Sequence, residues 1–291
     1  MVEGVILKAL SGFYYVFSEG TVYTCKARGN FRKSRMSPLV GDAVEISETE
    51  NGCGVIEKIR ERKNSFIRPA VANIDLMLFV AAGAKPVTDP FLIDRVAVIA
   101  ENAGCSFAVC INKKDLSSAD ELYSAYLQVG IPVVRTSAET GEGCEELKKL
   151  LKGKRCALTG NSGVGKSSII NMLIPGAGIE TDEISEHLGR GKHTTRHVEF
   201  YSLDNSTFLA DTPGFASFDV EMVDNIAAED LQFDFPEFAK TEEICRFSDC
   251  RHLSEPGCAV RAAVEEGKIP LSRYESYKKL YDIVFNHKPW E

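Results

Sequence analysis

The chain has 291 residues, 44% of them hydrophobic and 26% charged, a length that suggests two or three domains each able to bury a core. No apolar run approaches the roughly 20 residues that cross a membrane. The start, Met1-Val2-Glu3-Gly4, carries neither the basic residues nor the apolar stretch of a signal peptide, so a cytoplasmic location without a membrane partner is expected. A formal net charge of −8 repels a polyanion, so no DNA partner is expected and any RNA contact must be traced to a local patch.

Short strands are predicted over 5–10, 13–17, 21–26, 43–46 and 54–59. Ser18-Glu19-Gly20 is a hairpin signal between the second and third, and Gly41-Asp42 and Asn51-Gly52 precede the last two. This is enough for a small closed barrel over 1–63, of the OB-fold type; an SH3-like barrel gives much the same pattern. After the third strand, Lys26, Arg28, Arg32, Lys33 and Arg35 surround Phe31 with no acidic residue between them. On a barrel loop this is either an RNA-backbone contact or a solvated hairpin arm.

The pattern changes near Arg62. Residues 75–82 are almost continuously apolar, as in a strand buried on both faces. A helix is predicted over 90–103, with Leu92, Val96 and Ile99 on one stripe. Strands over 107–111, 132–135 and 155–159 then alternate with helices, including 144–151 and 166–173, before strands over 198–203 and 207–210. Such alternation predicts a mostly parallel α/β sheet over 64–218 with helices on both faces. From 219 to 291 the chain reads as helical and acidic, interrupted by a cysteine cluster.

Chemistry-bearing motifs sit at the predicted strand ends. Asn112-Lys113-Lys114-Asp115 fits N-K-x-D. An ionised aspartate only accepts hydrogen bonds. Guanine offers it N1–H and a 2-amino group, whereas adenine presents a lone pair at N1, so the motif selects guanine by attraction and repulsion together. Thr136-Ser137-Ala138, after the next strand, can support the base through backbone N–H groups, or is an ordinary strand-to-helix turn. Gly160-Asn161-Ser162-Gly163-Val164-Gly165-Lys166-Ser167 matches G-x-x-x-x-G-K-[ST] in full, with a strand before it and a helix, continuing through Ser168, after it. Its glycines let backbone N–H groups wrap around phosphate oxygens, and the helix N-terminus adds a positive end. Lys166 can reach the β- and γ-phosphates, and Ser167 can ligand Mg²⁺.

Asp211-Thr212-Pro213-Gly214 fits D-x-x-G: Asp211 can hold Mg²⁺ through water, and the Gly214 N–H can sense the γ-phosphate. The long loop over 175–196 carries Gly189, Gly191, His193, Thr194 and Thr195. A loop of that length is usually functional. One of its threonines can ligand Mg²⁺ while the γ-phosphate is present; Thr195 is preferred, although the sequence alone does not choose. The residue after D-x-x-G, where many GTPases place a water-orienting glutamine, is Phe215, which cannot hydrogen-bond water. Slow unassisted hydrolysis is therefore expected, with His193 the best candidate in the loop to orient the water, unless a partner supplies the group.

Cys245, Cys250, His252 and Cys258 are spaced C-x4-C-x-H-x5-C. Three thiolates and an imidazole suit a closed, tetrahedral structural Zn²⁺, although the spacing is not a common finger pattern and a chance cluster of reduced thiols would look the same. The other cysteines, Cys25, Cys53, Cys105, Cys110, Cys144 and Cys156, are scattered and read as small, mostly buried apolar residues.

The base motifs precede the phosphate loop, and the D-x-x-G and threonine-bearing segments follow it. That order is a circular permutation of the common GTPase layout, tolerated where domain ends lie close together. Over nearly its full length the chain resembles the bacterial circularly permuted, ribosome small-subunit-dependent GTPases, with Gly191-Lys192-His193-Thr194-Thr195-Arg196 similar to their switch segment. The resemblance implies a GTPase acting in late maturation of the small ribosomal subunit, binding GTP or GDP with Mg²⁺, contacting rRNA, using a catalytic histidine in that string and carrying one structural Zn²⁺ in its tail. A monomer is expected. The alternative is an RNA-binding assembly checkpoint whose affinity the nucleotide tunes and for which hydrolysis is secondary.

Overall fold

The computed structural model describes residues 1–29, 31, 37–49, 52–67, 69–179, 198–211 and 226–286, with Asp211 described for its backbone alone. Five N-terminal strands form where the alternation predicts them: β1 (Val2–Leu10), β2 (Phe13–Ser18), β3 (Thr21–Ala27), β4 (Ala43–Glu48) and β5 (Cys53–Ile59). They close in the order β1-β2-β3-β5-β4-β1, with β3 and β5 parallel and the other pairs antiparallel. This closure is that of the OB-fold's Greek-key barrel. Ile6, Val16, Cys25, Val44, Ile46 and Ile56 fill its interior. Cys53, by contrast, is exposed, so the expectation of burial fails at that thiol. A short hairpin of β6 (Ser65–Ile67) and β7 (Ala70–Ala72) follows. With three residues per strand it has too little alternation to be read from sequence.

The alternating region forms β8 (Leu76–Ala82), α1 (Pro90–Asn102), β9 (Ser106–Asn112), α2 (Asp120–Gln128), β10 (Val133–Arg135), α3 (Cys144–Leu151), β11 (Arg155–Thr159) and α4 (Lys166–Leu173). Two more strands follow, β12 (Glu199–Ser202) and β13 (Phe208–Asp211). Strands β10, β9, β8, β11 and β13 lie parallel in that order, and β12 runs antiparallel beside β13. Every residue of β8 is buried, because apolar layers cover both faces. Helix α1 begins where Asp89 caps it: the Asp89 carboxylate accepts the Phe91 N–H at 2.9 Å, and Pro90 pre-sets the first turn.

Barrel and α/β sheet are hydrogen-bonded into one eleven-stranded sheet, since β1 pairs with β12 at Lys8 and Glu199. The junction is packed as well as paired. Phe208 meets Phe17 of the barrel edge-on, centroids 5.5 Å apart, and Phe200 at 6.3 Å. Gly41 sits at φ +90, and a Cβ there would lie 2.0 Å from the Ala72 carbonyl oxygen and 3.0 Å from the Phe200 ring. Only glycine lets the barrel approach this closely.

The C-terminal region consists of short 3-10 turns over Leu231–Asp234 and Phe238–Lys240, then α5 (Ala259–Glu265) and α6 (Leu271–Asn286). Its apolar side chains join the layer that also covers α1. Arg273 of α6 is 1% exposed. It donates to Asp94 of α1 and to Glu237, each at 2.7 Å, and Tyr126 of α2 donates to the same Asp94 oxygen at 2.7 Å. Burial pushes the Asp94 carboxyl up while the Arg273 charge pulls it back. Arg273→Ala strands two carboxylates away from water without a counter-charge, so it is expected to cost about 3–5 kcal/mol. Urea unfolding should show the loss as a lower midpoint; a midpoint equal to that of the parent would mean the triad carries no net stability.

Candidate functional site

The C-terminal ends of the parallel strands β8, β9, β10 and β11 form one edge, where open α/β sheets bind ligands. Central β8 separates the two halves of the candidate nucleotide site: β9 and β10 deliver the base loops on one side and β11 the phosphate loop on the other. The phosphate loop is shaped by its glycines. At Gly160, φ +132, a Cβ would lie 2.2 Å from the Val80 carbonyl oxygen; at Gly165, φ +95, it would lie 2.3 Å from Asn112 Nδ2. Neither position accepts a side chain, because β8 and the base loop pack directly on the loop backbone. Lys166 Nζ donates to the carbonyls of Gly160 and Asn161 at 2.7 Å, so its ammonium is held within the loop, and Ser167 and Ser168 lie in the first turn of α4.

Asn112 is buried and its amide ties the site together. Nδ2 donates to the Val164 carbonyl at 3.0 Å, while Oδ1 accepts the Ala138 N–H at 3.0 Å and the Thr136 hydroxyl at 3.3 Å. Its polar atoms are thus committed to holding the phosphate loop and the two base loops in place. Asp115 is exposed at the rim, and one carboxylate oxygen accepts the Ser137 hydroxyl at 2.5 Å. That bond orients the carboxylate, a role for Ser137 beyond the backbone support expected of it. Lys114 bonds the Thr136 carbonyl through its N–H at 3.0 Å and pairs with Glu142. Lys113, at φ 61, donates from Nζ to the Lys85 carbonyl at 2.6 Å. This brings the segment after β8 against the base loop, a contact that no motif signals.

The structure therefore brings Asn112–Asp115, Thr136–Ala138 and Gly160–Ser168 together. Asp211 ends β13, beside β11 at the same edge, with its backbone paired to Leu158 and Glu199. His193, Thr194, Thr195 and Gly214, together with Arg32, Lys33 and Arg35 of the basic loop, lie outside the described residues.

A second site lies in the C-terminal region. The donor atoms of Cys245, Cys250, His252 and Cys258 all fall within 4.8 Å of one another. His252 Nδ1 is 3.6 Å from Cys245 Sγ and 3.4 Å from Cys258 Sγ. A tetrahedron with Zn–S near 2.3 Å and Zn–N near 2.0 Å has S···N edges of about 3.5 Å, so the spacing fits. Backbone N–H groups of Ala259 and Arg261 point to the Cys245 and Cys258 sulfurs at 3.3 and 3.5 Å. Burial holds the His252 imidazole below its ordinary pKa, in the neutral form a ligand requires. The ring's other nitrogen, Nε2, lies 3.0 Å from Gln232 Oε1, an outer partner that leaves Nδ1 for the metal. Glu255 braces the loop by accepting N–H bonds from Arg251, Leu253 and Ser254 at 2.9, 2.9 and 3.0 Å. Sequence reasoning missed Gln232 and Glu255, because neither belongs to the cysteine spacing.

Comparison with known proteins agrees with this geometry. The family model for the RsgA GTPase matches residues 59–221, and that for the RsgA N-terminal domain matches residues 3–56. The chain is 44% identical over 295 residues to a small ribosomal subunit biogenesis GTPase RsgA of Geobacillus sp. (strain WCH70), covering 99% of each chain. It is 45% identical over 303 residues to the protein of the same name from Agathobacter rectalis, again covering 99% of each. Among solved structures it resembles YjeQ from Thermotoga maritima, with TM-score 0.83 at 37% identity over 99% of both chains. It also resembles YloQ, described as a circularly permuted GTPase, with TM-score 0.81 at 34% identity, covering 100% of this chain and 97% of that one.

Asp115→Asn is expected to weaken GTP binding and to strengthen binding of xanthosine triphosphate, because an amide can donate to xanthine's extra carbonyl. Losing a charge-assisted pair of bonds should cost about 2–4 kcal/mol, or roughly 30- to 1000-fold in Kd. Titration with both nucleotides checks this, and unchanged GTP affinity would remove Asp115 from base recognition.

Proposed function

The chain belongs to the RsgA GTPase family and is a GTP-hydrolysing enzyme of small ribosomal subunit biogenesis, and we propose that the small subunit itself stimulates its hydrolysis of GTP to GDP and phosphate late in maturation. The observation that carries this reading is the Asn112 amide, which ties the phosphate loop at Val164 to the second base loop at Ala138, where Ser137 in turn holds the Asp115 carboxylate. GTPases use a guanine nucleotide with Mg²⁺, which neutralises charge developing on the phosphate oxygens.

In this reading Asn112, Lys113, Lys114 and Asp115, with Thr136, Ser137 and Ala138, hold the base. Gly160 to Ser168 hold the phosphates, with Lys166 on the β- and γ-phosphates. Ser167 and Thr195 ligand Mg²⁺, Asp211 reaches it through water, and Gly214 senses the γ-phosphate. His193 orients the attacking water in the place where Phe215 cannot. Cys245, Cys250, His252 and Cys258 hold one structural Zn²⁺. The working units are a barrel over 1–63, a permuted GTPase domain over 64–218 and a zinc-binding region over 219–291. The barrel's basic loop supplies rRNA contacts, and the protein acts as a cytoplasmic monomer. Support for the rRNA role comes from the run Lys26, Arg28, Arg32, Lys33 and Arg35, which has no acidic residue within it.

Three measurements test the assignments. Cys250→Ala should release stoichiometric zinc and unfold the C-terminal region, because structural-metal binding energy is largely folding energy; zinc-free parent protein, fresh from purification, would refute the metal. His193→Ala should keep GTP affinity yet lose roughly 10²-fold of the subunit-stimulated rate in single-turnover hydrolysis. A parental stimulated rate would assign the water-orienting group to the ribosome. A variant that binds GTP but cannot hydrolyse it should stay trapped on the subunit; normal release would favour a checkpoint in which hydrolysis is secondary.

A further inference from the structure

The hairpin of β12 and β13 lies between the barrel and the nucleotide site. Its sequence neighbours explain why that matters. Strand β12 directly follows the segment with His193 and Thr195, and β13 ends on Asp211, the first residue of D-x-x-G. The register then aligns three residues across three strands: Lys8 of β1 opposes Glu199 of β12, and Glu199 opposes Asp211 of β13. Lys8 Nζ donates to Glu199 Oε2 at 2.7 Å, with both side chains about one-third exposed, 32% and 34%. Among the described residues this is the one side-chain ion pair between barrel and hairpin. Directly opposed residues on antiparallel strands are the units through which a sheet transmits register. The contact is stiffened by Phe17 on Phe208 and by Gly41 under Phe200.

We propose that Lys8 and Glu199 are positioning residues that couple engagement of the barrel to the hairpin that ends on Asp211, the first residue of D-x-x-G. Neither belongs to the nucleotide motifs. A shift of β1 on RNA would be felt at Glu199 and, one strand further, at the backbone of Asp211. The link is reciprocal: exchanging GDP for GTP must alter the barrel edge by the same free energy. This inference rests on the subunit-stimulated reading for its benefit to the enzyme, although the coupling itself is a property of the isolated chain.

The test uses full-length protein carrying Lys8→Met, Glu199→Gln, and the charge exchange Lys8→Glu with Glu199→Lys. Hydrogen exchange of the β1 amides is measured with GDP and with a non-hydrolysable GTP analogue. The parent should show a nucleotide-dependent difference at β1; each single variant should lose most of it, and the exchange variant should recover it. In single-turnover assays with saturating subunits, the single variants should keep the unstimulated rate and lose on the order of fivefold of the stimulated rate, again restored by the exchange. A parent whose β1 amides ignore the nucleotide overturns the proposal. So do single variants that respond as the parent does, or an exchange variant no better than the singles. If subunits fail to stimulate the parent, the functional reading falls, while the exchange measurement still decides the coupling.

Discussion

The nucleotide site depends on a buried amide. Asn112 closes β9 and reaches sideways in two directions, to the Val164 carbonyl of the phosphate loop and to the Ala138 N–H of the second base loop. These three segments are separate in the chain, and permutation has moved the phosphate loop from before the base loops to after them. What permutation cannot change is the requirement that they converge at one edge of a parallel sheet. A buried amide left without partners costs about 1–3 kcal/mol, so the loops are held at the separation that satisfies it. Gly165 completes the constraint, since any side chain there would strike the amide it must pack against. The spacing between base carboxylate and phosphate loop is thus set before a nucleotide arrives, and binding energy is not consumed in assembling the site.

A different physical problem is solved at the C-terminal region. Its helices are short apart from α6, and its apolar residues are continuous with the layer over α1 instead of forming a separate core. Dispersion and burial bring the surfaces together without fixing their orientation. The Asp94, Arg273 and Glu237 triad does that: guanidinium bonds are directional, and a misaligned helix would leave charges buried and unpaired. The cysteine and histidine loop then needs little core of its own. Tyr274 and Tyr277 of α6 donate to the backbone carbonyls of His252 and Arg251 at 2.7 and 2.8 Å, so the cysteine and histidine loop is anchored on the same helix that docks on α1.

What could be read from sequence follows from where chemistry dictates residue type. Phosphate binding requires glycines at positions hostile to a Cβ, and Gly160 and Gly165 are such positions. Guanine selection requires an acceptor such as Asp115. Alternation and continuous apolar runs marked β1 to β5 and β8, because burial on one or both faces has a period. Interactions lacking a period or a required residue type stayed hidden. Arg273 looks like an ordinary helix-surface charge until Asp94, 179 residues earlier, is seen beside it. The role of Ser137 on Asp115, the brace of Gln232 on His252, and the β6–β7 hairpin are set by tertiary proximity, which spacing does not encode.

The joining of barrel and α/β sheet also has a physical reason. Without the barrel, β12 would be an edge strand with a row of unpaired N–H and C=O groups, which invites pairing with other chains. Pairing with β1 covers the start of that edge, at Lys8 with Glu199. The pair is backed by the edge-on contact of Phe17 with Phe208 and by the Gly41 carbonyl, which accepts from Asn73 Nδ2 at 3.1 Å and from Arg155 at 3.4 Å. Permutation makes this economical. With the chain cut before β8, the strands next to the D-x-x-G motif come last in the sheet, where β12 can carry the barrel. The covering of an exposed edge and the placing of the barrel beside the strand that ends on Asp211 are then two consequences of the same contact.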